Sequence, residues 1–296
     1  MNQGLIPVML TPFTADGAID EPGLDALIEW YLDHGAVGLF ACCQSSEIDH
    51  LGWEERCWLA RHVVSRVRGR VPVVATGSLG VGDLAAEAAL MRSIAATGVD
   101  VAVAITGHIV PPEASDEQAV QRLEALAAAT PGVRLGLYEC PRPYKRLISP
   151  AGVGRLAASG RWHYYKDTAC DGAITAAKIR ACTGTPLAMY DAYAANIAAS
   201  IDAGAAGCSP IIANLVPDLI VELCATRDPE LQAAVAELGL LVEVGYPLAV
   251  KQALAIAGLP ILPRCRRTCG AVPSGHGAEL ARRAAELRQR FAVMAH

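Results

Sequence analysis

Eight short apolar runs, each followed by a segment with helical spacing, recur through about the first 215 residues of this 296-residue chain. The runs are Leu5–Leu10, Val37–Ala41, Val71–Ala75, Val99–Ile105, Arg134–Tyr138, Trp162–Lys166, Pro186–Tyr190 and Ala206–Ser209. Mostly apolar rather than alternating, they read as strands buried on both faces. The segments between them carry helix start signals: Asp20 before Glu21–His34, Asp83 before a helix to Thr97, Ser115 or Asp116 before one to Ala129, and Ser149 ahead of Pro150. Trp53–Val67, Asp171–Cys182 and Tyr193–Ala203 complete the series. Regular alternation predicts a parallel sheet. Eight units fit an α/β fold of the (β/α)8 TIM-barrel type better than an open doubly wound sheet. Residues 1–215 then form the barrel. Residues 216–296 supply its last helix and a C-terminal helical extension in the same structural unit, through Pro217–Thr226, Pro229–Val242, Pro247–Ala257 and Ala278–Met294.

Composition narrows the class. A hydrophobic share of 53% can fill a large core, and a net charge of −5 is not a nucleic-acid footprint, which needs a basic patch. No charged leader precedes an apolar run, and no window reaches about 18 uninterrupted apolar residues, so neither a signal peptide nor a membrane span is expected. The ten cysteines sit mostly in apolar segments and read as small buried hydrophobes of a cytoplasmic protein. Cys265, Cys269 and His276 lack a fourth zinc ligand at usual spacing, and Glu47, Asp49 and His50 make no better metal site, so no metal is expected. Gly77 to Gly82 does not follow the dinucleotide-binding glycine spacing and reads as a turn.

In a barrel, chemistry belongs at the C-terminal ends of the strands. Those ends are Thr11, Gln44-Ser45, Thr76, Thr106, Tyr138, Lys166, Tyr190-Asp191 and Ser209. Only four of the 25 basic residues are lysines, Lys145, Lys166, Lys178 and Lys251. A lysine closing a buried strand is therefore a candidate for nucleophilic attack on a carbonyl, which arginine cannot perform. It must be neutral to attack, yet at a pKa of about 10.4 only about one lysine in 2,500 is neutral at pH 7. Apolar burial lowers that value, and Trp162, Tyr164 and Cys140 are suitable lining. Neighbouring barrel strands lie about 4.8 Å apart, so Tyr138 can face Lys166 and shuttle the protons of imine formation.

Five segments in order now resemble the dihydrodipicolinate synthase / N-acetylneuraminate lyase family of class I aldolases. They are Gly4 to Phe13; Leu137-Tyr138-Glu139-Cys140-Pro141, similar to a Tyr-Asn-x-Pro segment; Tyr164-Tyr165-Lys166-Asp167-Thr168, similar to a Lys-Asp-Ser/Thr motif; Gly207 to Pro217, with Ala213-Asn214; and Pro247 to Lys251. The resemblance implies Lys166 as the Schiff-base lysine, Tyr138 as the proton shuttle, no cofactor, and a homotetramer built as a dimer of dimers. Its substrate would be pyruvate or a related 2-keto acid, with an aldehyde as possible second substrate. The family's Gly-Thr-Thr-Gly-Glu loop falls on Cys43-Gln44-Ser45-Ser46-Glu47, where the Ser45 hydroxyl and nearby backbone amides would take the carboxylate and Gln44 and Ser46 would line the site. The matching glutamate and Lys251 read as structural.

The departures point away from dihydrodipicolinate synthesis itself. Gln44 stands where the proton relay has a hydroxyl. Thr106-Gly107-His108-Ile109 lacks the synthases' tyrosine pair, leaving His108 as a substitute acid or base. The synthases' substrate-binding arginine falls at Pro143, with Arg142, Lys145 and Arg146 nearby. Asp191 is read as a contact to a substrate hydroxyl or as a helix cap, and Ser209 as a further mouth residue. Two other readings stay open: a dehydratase of 2-keto-3-deoxy sugar acids using the same imine, and a family member that binds or regulates without catalysis.

Overall fold

The computed structural model describes residues 1–291. Eight parallel strands form one sheet in the order β1-β8-β7-β6-β5-β4-β3-β2. They are β1 (Gly4–Leu5), β2 (Leu39–Cys42), β3 (Val73–Thr76), β4 (Val101–Ile105), β5 (Leu135–Tyr138), β6 (Trp162–Asp167), β7 (Ala188–Asp191) and β8 (Gly207–Cys208). The two sheet ends meet through a parallel bridge between Val8 and Phe40, where Met9 N donates to Phe40 O at 3.0 Å. That closure makes the sheet a (β/α)8 barrel.

Helices wrap the outside: α1 (Glu21–Asp33), α2 (Trp53–Val67), α3 (Leu84–Ala95), the single turn α4 (Thr106–Ile109), α5 (Asp116–Ala129), α6 (Pro150–Ala158), α7 (Gly172–Ala181), α8 (Ile197–Asp202) and α9 (Pro217–Thr226). Beyond them α10 (Pro229–Glu243), α11 (Leu248–Ile256) and α12 (His276–Arg290) form the C-terminal extension. The caps act locally as expected. Asp20 accepts from Gly23 N at 3.1 Å, and Ser115 and Gln118 satisfy each other's backbone N–H groups. One close approach dictates its residue: a Cβ on Gly207 would sit 1.7 Å from Gly4 O, so only glycine lets β8 lie against β1. Arg288 on α12 ties the extension back to Asp218 at 2.6 and 2.9 Å.

Several boundaries differ from the sequence reading. The run Leu5–Leu10 is not one strand. Its ladder on β8 covers only Gly4–Leu5, and Pro7, which has no N–H to donate, lies where the chain crosses over to β2. β2, β3, β4 and β7 start two residues later than expected, and β2, β3, β6 and β7 end one residue later. Tyr193–Ala203 opens as a 3-10 turn at Ala194–Asn196 and becomes helical only at Ile197. The last helix starts at His276, and the 292–294 part of its expected span lies outside the described residues.

Candidate active site

Cross-strand register brings the site together. Tyr138 on β5, Lys166 on β6 and Tyr190 on β7 are successive ladder partners at the C-terminal rim of the barrel. Beneath them the barrel is filled by rings. Phe40 meets Tyr138 and Tyr164 edge-on at 5.7 Å, and Tyr164 stacks on Tyr190 at 5.0 Å. The Lys166 ammonium sits over the Tyr138 ring, 4.4 Å from its centroid, with only 3% of the residue exposed. Ring and ammonium attract, which favours the charged form. Loss of water outweighs this, and burial holds the Lys166 pKa below the ordinary lysine value.

The four lysines are distinguished by their partners. Lys145 Nζ donates to Thr168 O at 2.8 Å. Lys178 Nζ donates to both oxygens of Glu139, at 2.7 and 2.8 Å, and to Asp167 at 2.7 Å. Lys251 Nζ donates to Glu47, Thr11 O and Arg264 O, each at 2.7 Å. Lys166 Nζ alone has no hydrogen-bond or ion-pair partner among the described residues. A buried amine with a depressed pKa and no acceptor is free to attack a carbon.

The depressed pKa has a stability consequence. A lysine with a folded-state pKa below its unfolded value lowers stability fully below the folded pKa, and the penalty vanishes above about 10.4. Lys166→Met therefore gains stability relative to the native protein at neutral pH, and the gain shrinks as pH rises toward 10. Urea unfolding of both proteins across pH 7–10 measures this. A difference independent of pH would contradict the burial of a chargeable amine.

The rest of the mouth departs from expectation in instructive ways. Burial raises the pKa of the Tyr138 hydroxyl, which lies near the Cys140 thiol. Cys140 Sγ in turn donates to Gln44 Oε1 at 3.7 Å, and Gln44 Nε2 donates to Asp49 at 3.0 Å. Cys140 is thus a polar neighbour of Tyr138 as well as part of the lining around Lys166. Trp162 is not lining: it pairs with Leu135 at the far end of β6, four residues and roughly 13 Å from Lys166. Ser45 is buried on the 3-10 turn Gln44–Ser46, near Tyr246, a residue the sequence reading passed over although it immediately precedes the Pro247 segment.

Three predicted contacts are committed elsewhere. Ser46 Oγ donates to Met9 O at 2.8 Å and Ala41 O at 3.1 Å and so fixes its own loop. Asp191 accepts from Tyr193 N and Asn196 Nδ2, each at 2.8 Å, and from Ser200, so it caps the approach to α8. Ser209 Oγ donates to Ile6 O at 2.7 Å and tethers β8 to the chain beyond β1. His108 bonds Ser78 Oγ at 3.0 Å, and burial lowers its pKa. It lines a cleft of about 570 Å³ with Asp49, Arg142 and Tyr144 that reaches neither Lys166 nor Tyr138. Arg146, like Lys145, is held by a backbone carbonyl, that of Ser115 at 3.1 Å. Glu47 is filled by Lys251 and the N–H groups of Arg266 and Arg267, at 2.8 and 2.9 Å, which makes it a loop anchor. Among the described residues, no three His, Cys, Asp or Glu side chains gather as metal ligands.

A closed β/α barrel with an unpartnered buried lysine beside a tyrosine at its C-terminal rim has the architecture of a class I aldolase. The chain belongs to the dihydrodipicolinate synthetase family, whose model matches residues 1–286, and it is a lyase of that family. The 4-hydroxy-tetrahydrodipicolinate synthase of Methylococcus capsulatus is 30% identical over 226 residues, 76% of this chain and 75% of that protein. The Anaplasma marginale (strain Florida) enzyme of the same name is 28% identical over 222 residues, 74% of this chain and 71% of its own. A dihydrodipicolinate synthase from Thermotoga maritima superposes with a TM-score of 0.86 at 19% identity, covering 99% of this chain and all of that one. A prophage protein of the family from E. coli K12, solved with pyruvate, gives 0.83 at 24% identity, covering 99% of each chain. At these identities the structural likeness is one of fold.

Proposed function

We propose that this enzyme forms a Schiff base between Lys166 and pyruvate or a related 2-keto acid, and that it is not 4-hydroxy-tetrahydrodipicolinate synthase itself. The observation that carries the reading is the Lys166 amine, buried and alone among the four lysines in having no partner. Neutral Nζ adds to the keto carbon and gives a carbinolamine. Tyr138 protonates the departing hydroxyl, water leaves, and a protonated imine remains. That imine accepts the electron pair when a proton or a carbon–carbon bond at the adjacent carbon is released, so no organic cofactor or metal is needed. Ser45 and the free N–H groups that open its 3-10 turn take the carboxylate.

The specificity half of the reading rests on substitutions. Pro143 occupies the place of an arginine, Thr106–Ile109 holds no tyrosine, and Gln44 with Cys140 stands where a hydroxyl relay would run. Assembly as a dimer of dimers and a reducing, cytoplasmic setting belong to the same proposal. The ten cysteines are free, and among the described residues no single helix is long and apolar enough to cross a membrane.

The enamine that follows the imine exchanges the methyl protons of pyruvate with solvent, without any aldehyde partner. In deuterium oxide the native protein is expected to erase the pyruvate methyl proton signal catalytically. No exchange with pyruvate or with a panel of longer 2-keto acids would remove the imine and favour a binding protein. Product analysis on the active keto acid then separates bond cleavage from dehydration.

A further inference from the structure

Cys208 and Cys224 are 16 positions apart in sequence, and the fold places their sulfurs 3.6 Å from each other. Alternation along β8 accounts for one half of the pair. Gly207 is the ladder partner of Tyr190, whose ring stacks inside the barrel, so the next side chain, Cys208, turns outward toward the helices. Helical spacing accounts for the other half: Cys224 follows Ile220 by one turn on the buried side of α9. The two surroundings differ. Cys208 has no exposed surface, while Cys224 is half-buried and lines a cleft of about 420 Å³ with Gly4, Gly35, Ala206 and Arg227. Negative charge is better tolerated on the less buried sulfur, so the Cys208 thiol is the donor of their contact. That hydrogen bond raises the Cys208 pKa, with burial adding to it, and lowers that of Cys224, with the Arg227 charge acting the same way.

We propose that Cys208 and Cys224 form a reversible disulfide by exchange with a small disulfide, and that the bond closes without rearranging the fold. The Cys224 thiolate, reached from the cleft, attacks one sulfur of the small disulfide. That S–S bond breaks, a mixed disulfide forms on Cys224, and the first small thiolate leaves and takes up the proton that Cys224 gave. Cys208 then loses its proton, and its sulfur attacks the Cys224 sulfur. The mixed disulfide breaks, and the second small thiol leaves with the Cys208 proton. The protein pair is oxidised by two electrons, and the small disulfide is reduced to two thiols. The sulfurs start in contact and need only close to the bonded length of about 2.0 Å. The bond would tie α9 to β8 across the connection that carries Ser209 and the 3-10 turn Ile211–Asn214. In a reducing setting the pair stays as two thiols, so the bond reports the loss of that setting.

The test exposes the full native chain to oxidised glutathione until the exposed Cys170 carries a glutathione adduct. Remaining thiols are then blocked with iodoacetamide in denaturant, and peptides are mapped without reduction. The expected product joins the Cys208 peptide to the Cys224 peptide, and dithiothreitol reverses it. Cys208→Ser is expected to stop at a glutathione adduct on Cys224, and Cys224→Ser to leave Cys208 unmodified, because only Cys224 faces the cleft. The oxidised native chain is expected to unfold about 5 °C above the same sample after reduction, since the crosslink closes a short loop in the unfolded state. No linked peptide once Cys170 is modified, an adduct on Cys208 in Cys224→Ser, or an unfolding midpoint lowered by oxidation overturns the proposal.

Discussion

Tyr138→Phe is expected to lower pyruvate proton exchange by about 10²–10⁴-fold, the range that removal of a positioned acid–base group produces. The ring is kept, so the Phe40 contact at 5.7 Å and the ring beneath the Lys166 amine survive. Only the hydroxyl is lost. Binding of a 2-keto acid should therefore change little while dehydration of the carbinolamine slows, giving a fall in kcat with KM nearly constant. Steady-state exchange kinetics separate the two. A variant with native kcat would mean that another group moves the protons, and the Cys140 thiol would be the first to examine.

Lys178→Met is expected to cost about 3–5 kcal/mol of stability, the typical penalty for stranding buried charges by removing their partner. Lys178, Glu139 and Asp167 are all fully buried between the barrel and α7. Glu139 also accepts from Tyr165 Oη at 2.5 Å and Ile148 N at 2.8 Å, and Asp167 from Thr175 at 2.7 Å. Without the ammonium, two carboxylates remain in an apolar wall. Urea denaturation reads the loss directly, and Glu139→Gln in the same background should recover part of it. A loss below about 1 kcal/mol would mean that water enters and solvates the pair. Glu139 follows Tyr138 and Asp167 follows Lys166, so the ion cluster fastens the backs of the two residues that face the mouth.

The parts of this arrangement that were legible in the sequence are those encoded locally. Caps such as Asp20, Asp83 and Ser115 act on N–H groups two or three residues away, and the eight apolar runs carry their own burial signal. Tyr138 and Lys166 could be placed together because strand neighbours in a barrel are fixed by topology. What was not legible is where a polar side chain spends its hydrogen bonds. Ser45 and Ser46 are adjacent hydroxyls, yet Ser46 turns inward to carbonyls 37 and 5 residues away. Asp191 ends a strand as Lys166 nearly does, but the start of the next helix claims both its oxygens. Lysine scarcity alone also fell short of singling out Lys166, since Lys178 and Lys251 are equally buried. The distinction lies in Glu139, 39 residues before Lys178, and Glu47, 204 residues before Lys251. Strand β1 was overread because apolar character persists past Pro7 although the ladder to β8 does not, the chain there pairing with β2 instead.

Borohydride reduction in the presence of pyruvate, followed by peptide mass mapping, tests the central claim most directly. The expected result is one reduced pyruvyl adduct per chain, carried on the peptide containing Lys166, absent without pyruvate and absent in Lys166→Ala. An adduct on Lys145, Lys178 or Lys251, or none with pyruvate and longer 2-keto acids while the protein remains folded, would contradict Lys166 as the imine-forming residue.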